Sequence, residues 1–436
     1  MILTLAALSA CVSPSIPTRR AGDSHTRDSA DTGLPTVPPD SGDSTDSTDS
    51  VDSSDTSPST WTAPGRATLD CPAEPTADGK IDCTLHIEDQ AGNVQWDGPA
   101  GVSLHGRSSL DFPKQQFSIE LRDAADDDAP ADLFGMGEEA DWLLNGMYID
   151  RALFRNKLCF DLYRDLTADR EWAPESVYVE LLYQGEYYGV YQLEERIDHS
   201  RYRAQVPDDD GTGSSFIAKG DESGFPSALQ YAHWALNYPA ESAQTPEVLA
   251  GVQARLRAME TAIAATDAAT WDQVDLDSAV AFVLMEEFIK NNDAYFLSNH
   301  IYTGMDGRIR FTPWDVDLSF GQPDYNDNEN PESWIAYRSQ LIIDLAAAPG
   351  FRERMSSMWA EWRAGALSDA TIDGWLEANP TLLGSAIDRN FARWPIEDIQ
   401  FGGTLYAVTS YEDELAHVSP FVHARLAWMD TNVAAY

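Results

Sequence analysis

Positive charge is scarce in this chain. Only 29 lysines and arginines face 72 aspartates and glutamates over 436 residues, a formal net charge of -43. That balance argues against nucleic acid as a partner, because binding a phosphate backbone draws on lysine and arginine. It equally disfavours a polybasic contact with anionic lipid, and it fits solubility or adaptation to salt. Cysteine is rare too: there are four, and none has the neighbouring cysteines or histidines of a zinc site. The eight histidines show no His-Glu-x-x-His spacing, and no Gly-x-Ser-x-Gly is present, so a serine hydrolase has no support. Gly211-Thr212-Gly213 follows an aspartate run rather than a strand, so it is not a phosphate loop. Beyond the first ten residues, no stretch reaches the roughly 18 apolar residues of a membrane span. Apolar material for a core is nonetheless ample: 43% of residues are hydrophobic. The length suits one large or two ordinary domains.

The first residues are apolar and small, and Leu8-Ser9-Ala10-Cys11 resembles the lipobox of bacterial lipoproteins. The basic region expected ahead of it is missing, so either the start lies upstream or the match is fortuitous. On the lipobox reading, residues 1–11 are a truncated signal, Cys11 is acylated, and the protein is exported to the outer membrane or cell surface. Contact with membrane is then through the lipid anchor alone. Residues 12–60 follow as a linker in which Asp40, Asp43, Asp46, Asp49, Asp52 and Asp55 recur every third residue among serine and threonine. Such a segment buries almost nothing and repels itself, so disorder and extension are expected. In an oxidising compartment, Cys71 and Cys83 across a turn-rich connection are expected to pair, leaving Cys159 as inert core.

From residue 64 onward, strand-like alternation covers 81–87, 102–106 and 116–121, with an acidic loop at 123–132. A helix is expected at 153–163, a hairpin at 176–182 and 188–193 around Tyr183-Gln184-Gly185-Glu186, and a short strand at 216–219. Helical patterns then dominate: 246–266, 276–292, 340–347, 351–364, 369–376, 379–391 and 420–434. The expectation is an α+β fold over residues 64–436, two-lobed and protein-kinase-like. Its strand-rich lobe would cover about 64–225 and its helical lobe about 226–436, with Asp293 and Asp315 where they meet.

Those two aspartates, 22 residues apart with Asn299 between them, carry most of the functional information. A helix ends near Asn292, a loop holds Asp293 and Asn299, and a hairpin turning at Gly304-Met305-Asp306-Gly307 leads to Pro313-Trp314-Asp315-Val316-Asp317. Phosphoryl transfer needs such parts in this order. One aspartate takes the acceptor hydroxyl's proton, an asparagine holds a metal, and an aspartate after a hairpin holds the metal that bridges the phosphates. Five residues separate Asp293 from Asn299 rather than four, and Val316 and Asp317 replace the Phe-Gly of the kinase Asp-Phe-Gly motif. Asp315 and Asp317 would share one face of a strand, where like charges repel unless a cation sits between them. Against this stands the commonplace use of aspartate and asparagine to bond nearby loop backbone.

Four separated motifs resemble the spore-coat CotH kinase family of atypical secreted protein kinases. They are His105-Gly106-Arg107-Ser108-Ser109 with Pro113-Lys114; Asp150 through Arg155-Asn156; the hairpin Tyr183 to Glu195; and the block from Asp293 to Asp317. His105 stands where the family has arginine, and Gln115 where it has a second lysine. The resemblance implies ATP as phosphate donor with Mg2+ or Mn2+, and a protein serine or threonine as acceptor. It implies Asp293 and Asp315 as catalytic residues, Asp315, Asp317 and Asn299 as metal ligands, and Lys114, Arg107, Lys219, Trp314 and Glu194 around the nucleotide. Tyr191 is a second ring that could stack on adenine, with core packing as the alternative for it and for Trp314. A monomer is expected. An inactive surface-binding module, or transfer of another nucleotide-derived group such as AMP, remains open. Asp324, Asn326 and Asn328 have the spacing of a calcium loop but lack its glycine and bidentate glutamate. An acidic loop is expected there, with Ca2+ as the alternative.

Overall fold

The computed structural model describes residues 64–221, 224–226, 233–295, 297–322, 328–400 and 406–436. The expected signal segment and linker lie outside these, as do Asp324 and Asn326. The chain opens with β1 (Gly65–Asp70), β2 (Ile81–Glu88), β3 (Val94–Leu104) and β4 (Phe117–Leu121). A small hairpin of β5 (Ala131–Asp132) and β6 (Glu138–Glu139) precedes β7 (Asp141–Asn145), and β8 (Ser176–Tyr183) and β9 (Glu186–Glu195) follow later. Seven of these strands close into a barrel in the order β1-β2-β3-β4-β7-β9-β8, shut by parallel pairing of β1 with β8.

Alternation explains the barrel interior. In β2, Cys83, Leu85 and Ile87 point inward while Asp82 and Thr84 face solvent. Phe117, Trp142, Leu181, Tyr191 and Leu193 complete the filling. Closure leaves no open edge for another chain to extend. Cys71 and Cys83 are disulfide-bonded, tying the chain after β1 to β2, and Cys159 is free and buried, both as expected. Gln184 and Gly185 turn β8 into β9 with φ of 55° and 76°, the left-handed pair that matches hairpin twist.

A second sheet holds β10 (Ile217–Asp221), β11 (Phe225–Pro226), β12 (His233–Tyr238), β13 (Asn299–Thr303) and β14 (Ile309–Thr312), in the order β11-β12-β10-β13-β14. The described helices are α1 (Arg155–Thr167), α2 (Pro246–Ala265), α3 (Thr270–Gln273), α4 (Leu276–Ile289), α5 (Gln340–Ala347), α6 (Phe351–Arg363), α7 (Asp369–Leu383), α8 (Ala386–Arg393) and α9 (Tyr411–Asn432). The mixed content fits the α+β expectation. The clean segregation of strands before residue 226 and helices after it does not appear, because β10 pairs with β12 and β13 from beyond that point. Helix α9 starts at Tyr411 rather than 420. Ser410 caps it through the Asp413 N–H (3.1 Å), and Pro420 sits inside it.

Helix α4 is buried from Ser278 to Ile289 on every face. It is the axis of the larger core, with residues of α1, α2, α5, α6 and α9 packed into the same apolar cluster. Its carboxyl end therefore emerges at a fixed place, and the Asp293 segment starts there.

Candidate active site

The Asp293 segment and the Asp315–Asp317 segment are zipped together by backbone. The Asn292 N–H donates to the Leu318 carbonyl (2.9 Å), and the Phe320 N–H donates to the Ile289 carbonyl (2.8 Å). Strand β14 stops at Thr312, and Pro313 follows, with no N–H to give a ladder. Asp315 has φ of 57°, a left-handed conformation uncommon for a residue other than glycine. The expected arrangement of Asp315 and Asp317 on one strand face is thereby corrected: both sit on a loop beyond the strand. Ser298, also left-handed with φ of 54°, donates its hydroxyl to Asp315 Oδ2 (3.1 Å).

The start of α1 braces this loop from beneath. Asn156 Oδ1 accepts the N–H of Val316, the residue between the two aspartates (2.9 Å). Arg155 Nε donates to the Ser319 carbonyl (2.9 Å), while its other nitrogens hold Asp150 (2.7 Å) and Glu414 of α9 (2.8 Å). All of these side chains are buried. The Asp150–Asn156 motif is thus a positioning brace.

A cleft of about 810 Å3 opens over the loop. It gathers Asp293, Asp315, Asp317, Glu194, Arg107, Lys219 and Trp314 from chain segments spread over two hundred residues. Glu194, at the end of β9, is buried, and its Oε2 has no hydrogen-bond partner. Burial, opposed by a bond from Asn145 and reinforced by the charge of Asp315, pushes its carboxyl up to about 8. Burial and then Asp315, Asp150 and Asp293 drive the Asp317 carboxyl well above the usual carboxylate range. Arg107 lies on an exposed loop after β3, which turns at Gly106 (φ of 108°). A Cβ at Gly106 would fall 1.8 Å from Ser109 Oγ, so only glycine fits that turn.

Sequence reasoning missed several lining residues. Arg196 follows Glu195 and is anchored to Asp141 (2.7 Å). His105 is held down at about 4 by burial and by the charges of Arg196 and Lys219, so it stays neutral while three cations line the cleft. Asn145, Ser298 and His300 were missed as well. No local signal marks them, because each is recruited by pairing between distant strands and loops.

Three expected site residues fall elsewhere. Lys114 does not reach the cleft: its buried ammonium donates to the Val190 carbonyl (2.6 Å) and to Asn390 Oδ1 of α8 (2.9 Å). It is a tether between the barrel and α8 instead of a phosphate contact. Asn299 spends its Oδ1 on the Tyr295 N–H (3.2 Å), closing the loop locally, and does not line the cleft. Tyr191 is fully buried in the barrel and donates to the Gln115 carbonyl (2.6 Å), so it cannot stack on a base. Trp314 does border the cleft, but one face stacks on Phe160 at 6.2 Å, so it packs against the core as well. Of the calcium spacing, only Asn328 is described, and its Oδ1 accepts from Arg338 (2.6 Å).

Among the described residues, no three histidine, cysteine or acidic side chains stand close enough to form a ready metal cluster. The donor chemistry still suits a hard divalent cation. The charge of Asp315 raises the charging cost of Asp317, and Glu194 Oε2 is an orphaned buried oxygen in the same cleft. With this geometry in hand, the match of residues 102–429 to the family model described as CotH kinase protein is decisive. The chain belongs to the CotH kinase family. The match begins in β3, so β1, β2 and the disulfide precede the CotH kinase region, whereas every expected CotH kinase site residue lies inside it. No curated protein matches the chain.

Proposed function

We propose that this CotH kinase family member is a metal-dependent protein kinase that transfers the γ-phosphoryl group of ATP to a serine or threonine hydroxyl. One observation carries the reading: a single cleft gathers the carboxylates Asp293, Asp315, Asp317 and Glu194 with the cations Arg107, Arg196 and Lys219. Phosphoryl transfer is mostly positioning and charge stabilisation, and these are the groups it uses. Mg2+ or Mn2+, held by Asp315 and Asp317 with Glu194, would offset both their mutual repulsion and the charge of the phosphates. Lys219 and Arg107 donate to phosphate oxygens. Asp293 receives the acceptor's proton as the new oxygen–phosphorus bond forms and the bond to the bridging β-phosphate oxygen breaks. Trp314 borders the nucleotide. In the same reading the protein is exported on a lipid anchor at Cys11, works as a monomer, and acts on a protein, not on nucleic acid.

The test is incubation with ATP and Mg2+ or Mn2+, followed by mass analysis of the protein and of co-secreted proteins. Gain of a phosphoryl group is expected. Gain of an adenylyl group would redirect the reading to AMP transfer. Asp293→Asn should keep ATP affinity within a few-fold while transfer falls about 10²–10⁴-fold, and Asp315→Asn should lose both. If Asp293→Asn abolishes ATP binding in a folded protein, its role is metal ligation. If the parent binds no ATP with either metal, the cleft belongs to a binding module.

A further inference from the structure

A second cavity of about 880 Å3 lies between the end of α1, the β5–β6 hairpin and the start of α4, and shares no lining residue with the cleft. Two side chains in its wall are almost fully buried and incompletely bonded, and they carry opposite charge. Glu171, 4% exposed, places Oε1 on Arg310 Nη1 (2.6 Å), and its carboxyl also takes a hydrogen bond from Ser278, while Oε2 itself has no hydrogen-bond partner. Arg203, 2% exposed, donates Nη1 to Glu195 Oε1 (2.5 Å) and the Met136 carbonyl (3.1 Å), and its Nη2 has no acceptor. A buried polar atom left without a partner is costly, and two of opposite sign in one cavity describe a ligand with a donor at one end and an acceptor at the other.

Glu195, the partner of Arg203, also accepts the backbone N–H of Glu175 (2.9 Å), four residues after Glu171, so a short stretch of chain joins the two groups. An extended tripeptide covers about 10 Å, and the cavity volume falls in the range of small-ligand pockets. Trp172, Tyr202 and Tyr302 also line the cavity, offering flat faces to a backbone or an aliphatic chain.

We propose that this cavity is a binding site for a small zwitterion, an amino acid or short peptide. Its ammonium bonds Glu171 Oε2, and its carboxylate bonds Arg203 Nη2. Burial holds the Glu171 carboxyl up at about 7, so an incoming ammonium supplies the charge partner that Arg310 alone does not.

The probe is triglycine, titrated by calorimetry into the whole chain at millimolar concentration beside N-acetyl-triglycine and triglycinamide. Triglycine should bind, and each blocked form should bind at least about tenfold more weakly, the effect of one charged hydrogen bond. Glu171→Gln keeps an oxygen for Arg310, and it should erase the difference between triglycine and its acetylated form while preserving the penalty for triglycinamide. Arg203→Lys should do the converse. Because the ligand-side comparison needs no variant, it stands even if Arg203→Lys fails to fold. No binding of triglycine, or equal binding of all three peptides, would overturn the proposal.

Discussion

Replacing Lys114 with methionine separates two readings of the same residue. If Lys114 contacts a phosphate, Lys114→Met should cost nucleotide affinity; the structure makes it a tether. Its Nζ makes charge-assisted bonds of 2.6 Å to Val190 O and 2.9 Å to Asn390 Oδ1, each worth about 1.5–3 kcal/mol. Burial opposes them and pulls the ammonium well below the usual lysine range. Methionine has similar length and flexibility, so little cavity opens. Asn390 Oδ1 keeps the Val190 N–H (3.0 Å), which leaves the Val190 carbonyl as the one acceptor stripped of its donor. The net loss is therefore about 1–3 kcal/mol, the cost of one unsatisfied buried group. Gly189 belongs to the same contact. Its φ is 118°, and a Cβ there would lie 2.8 Å from Asn390 Oδ1 and 3.0 Å from Lys114 Cε. The assay is urea unfolding, in which the midpoint should drop at unchanged slope, paired with calorimetry of metal–ATP binding on folded protein, which should stay within about twofold. Unchanged stability with a tenfold or greater loss of affinity would refute the tether.

Asn156→Ala strips the acceptor from Val316 N–H and should weaken metal–ATP binding about tenfold, at a stability cost of about 1–3 kcal/mol; calorimetry that shows the parent affinity would dismiss the brace. Glu286, buried in α4, is held up at about 8 by burial and by the charges of Glu287 and Asp293, against a bond from Asn291. Between its ordinary carboxyl pKa and that value the folded state keeps a proton that the unfolded state has released. Stability should therefore fall as pH rises, by up to about 1.4 kcal/mol per unit, and Glu286→Gln should flatten the slope of urea midpoints across that window. Replacing Cys71 and Cys83 with serine should cost about 3 kcal/mol, from reopening a short loop in the unfolded chain; an unmoved thermal midpoint would deny the bond that role.

Much of the frame is legible in the sequence because it rests on local periods. Two-residue alternation marks the β8–β9 hairpin, and helical spacing marks α2, α5 and α6 almost to their ends. Within the site, Asp293, Asp315, Asp317, Glu194, Arg107, Lys219 and Trp314 do meet in one cleft. Lys114 and Asn299 were misplaced for a common reason. Motif reading assigns a residue to a neighbourhood along the chain, whereas the direction of its side chain depends on what packs against it. Asn390 lies 276 residues from Lys114, and no local pattern announces that contact. Arg196 was overlooked because it sits just past a strand end, on an acidic protein where an arginine reads as an ordinary surface charge. Asp315 reads as a strand residue because nothing in Pro313-Trp314-Asp315 reveals its left-handed backbone.

The brace beneath the acidic loop also sets an order of events during synthesis. Arg155 reaches Glu414 across 259 residues, and Arg425 of α9 donates to the Glu287 carbonyl at the end of α4 (2.9 Å). A nascent chain that has already made Asp150, Arg155, Asp293 and Asp315 thus holds every proposed reacting group and still lacks the helix that locks them. Contacts of such long range form late and slowly. Until α9 arrives, charged groups destined for the interior stay hydrated and the cleft stays unassembled, so the proposed activity should switch on only once α9 has been made.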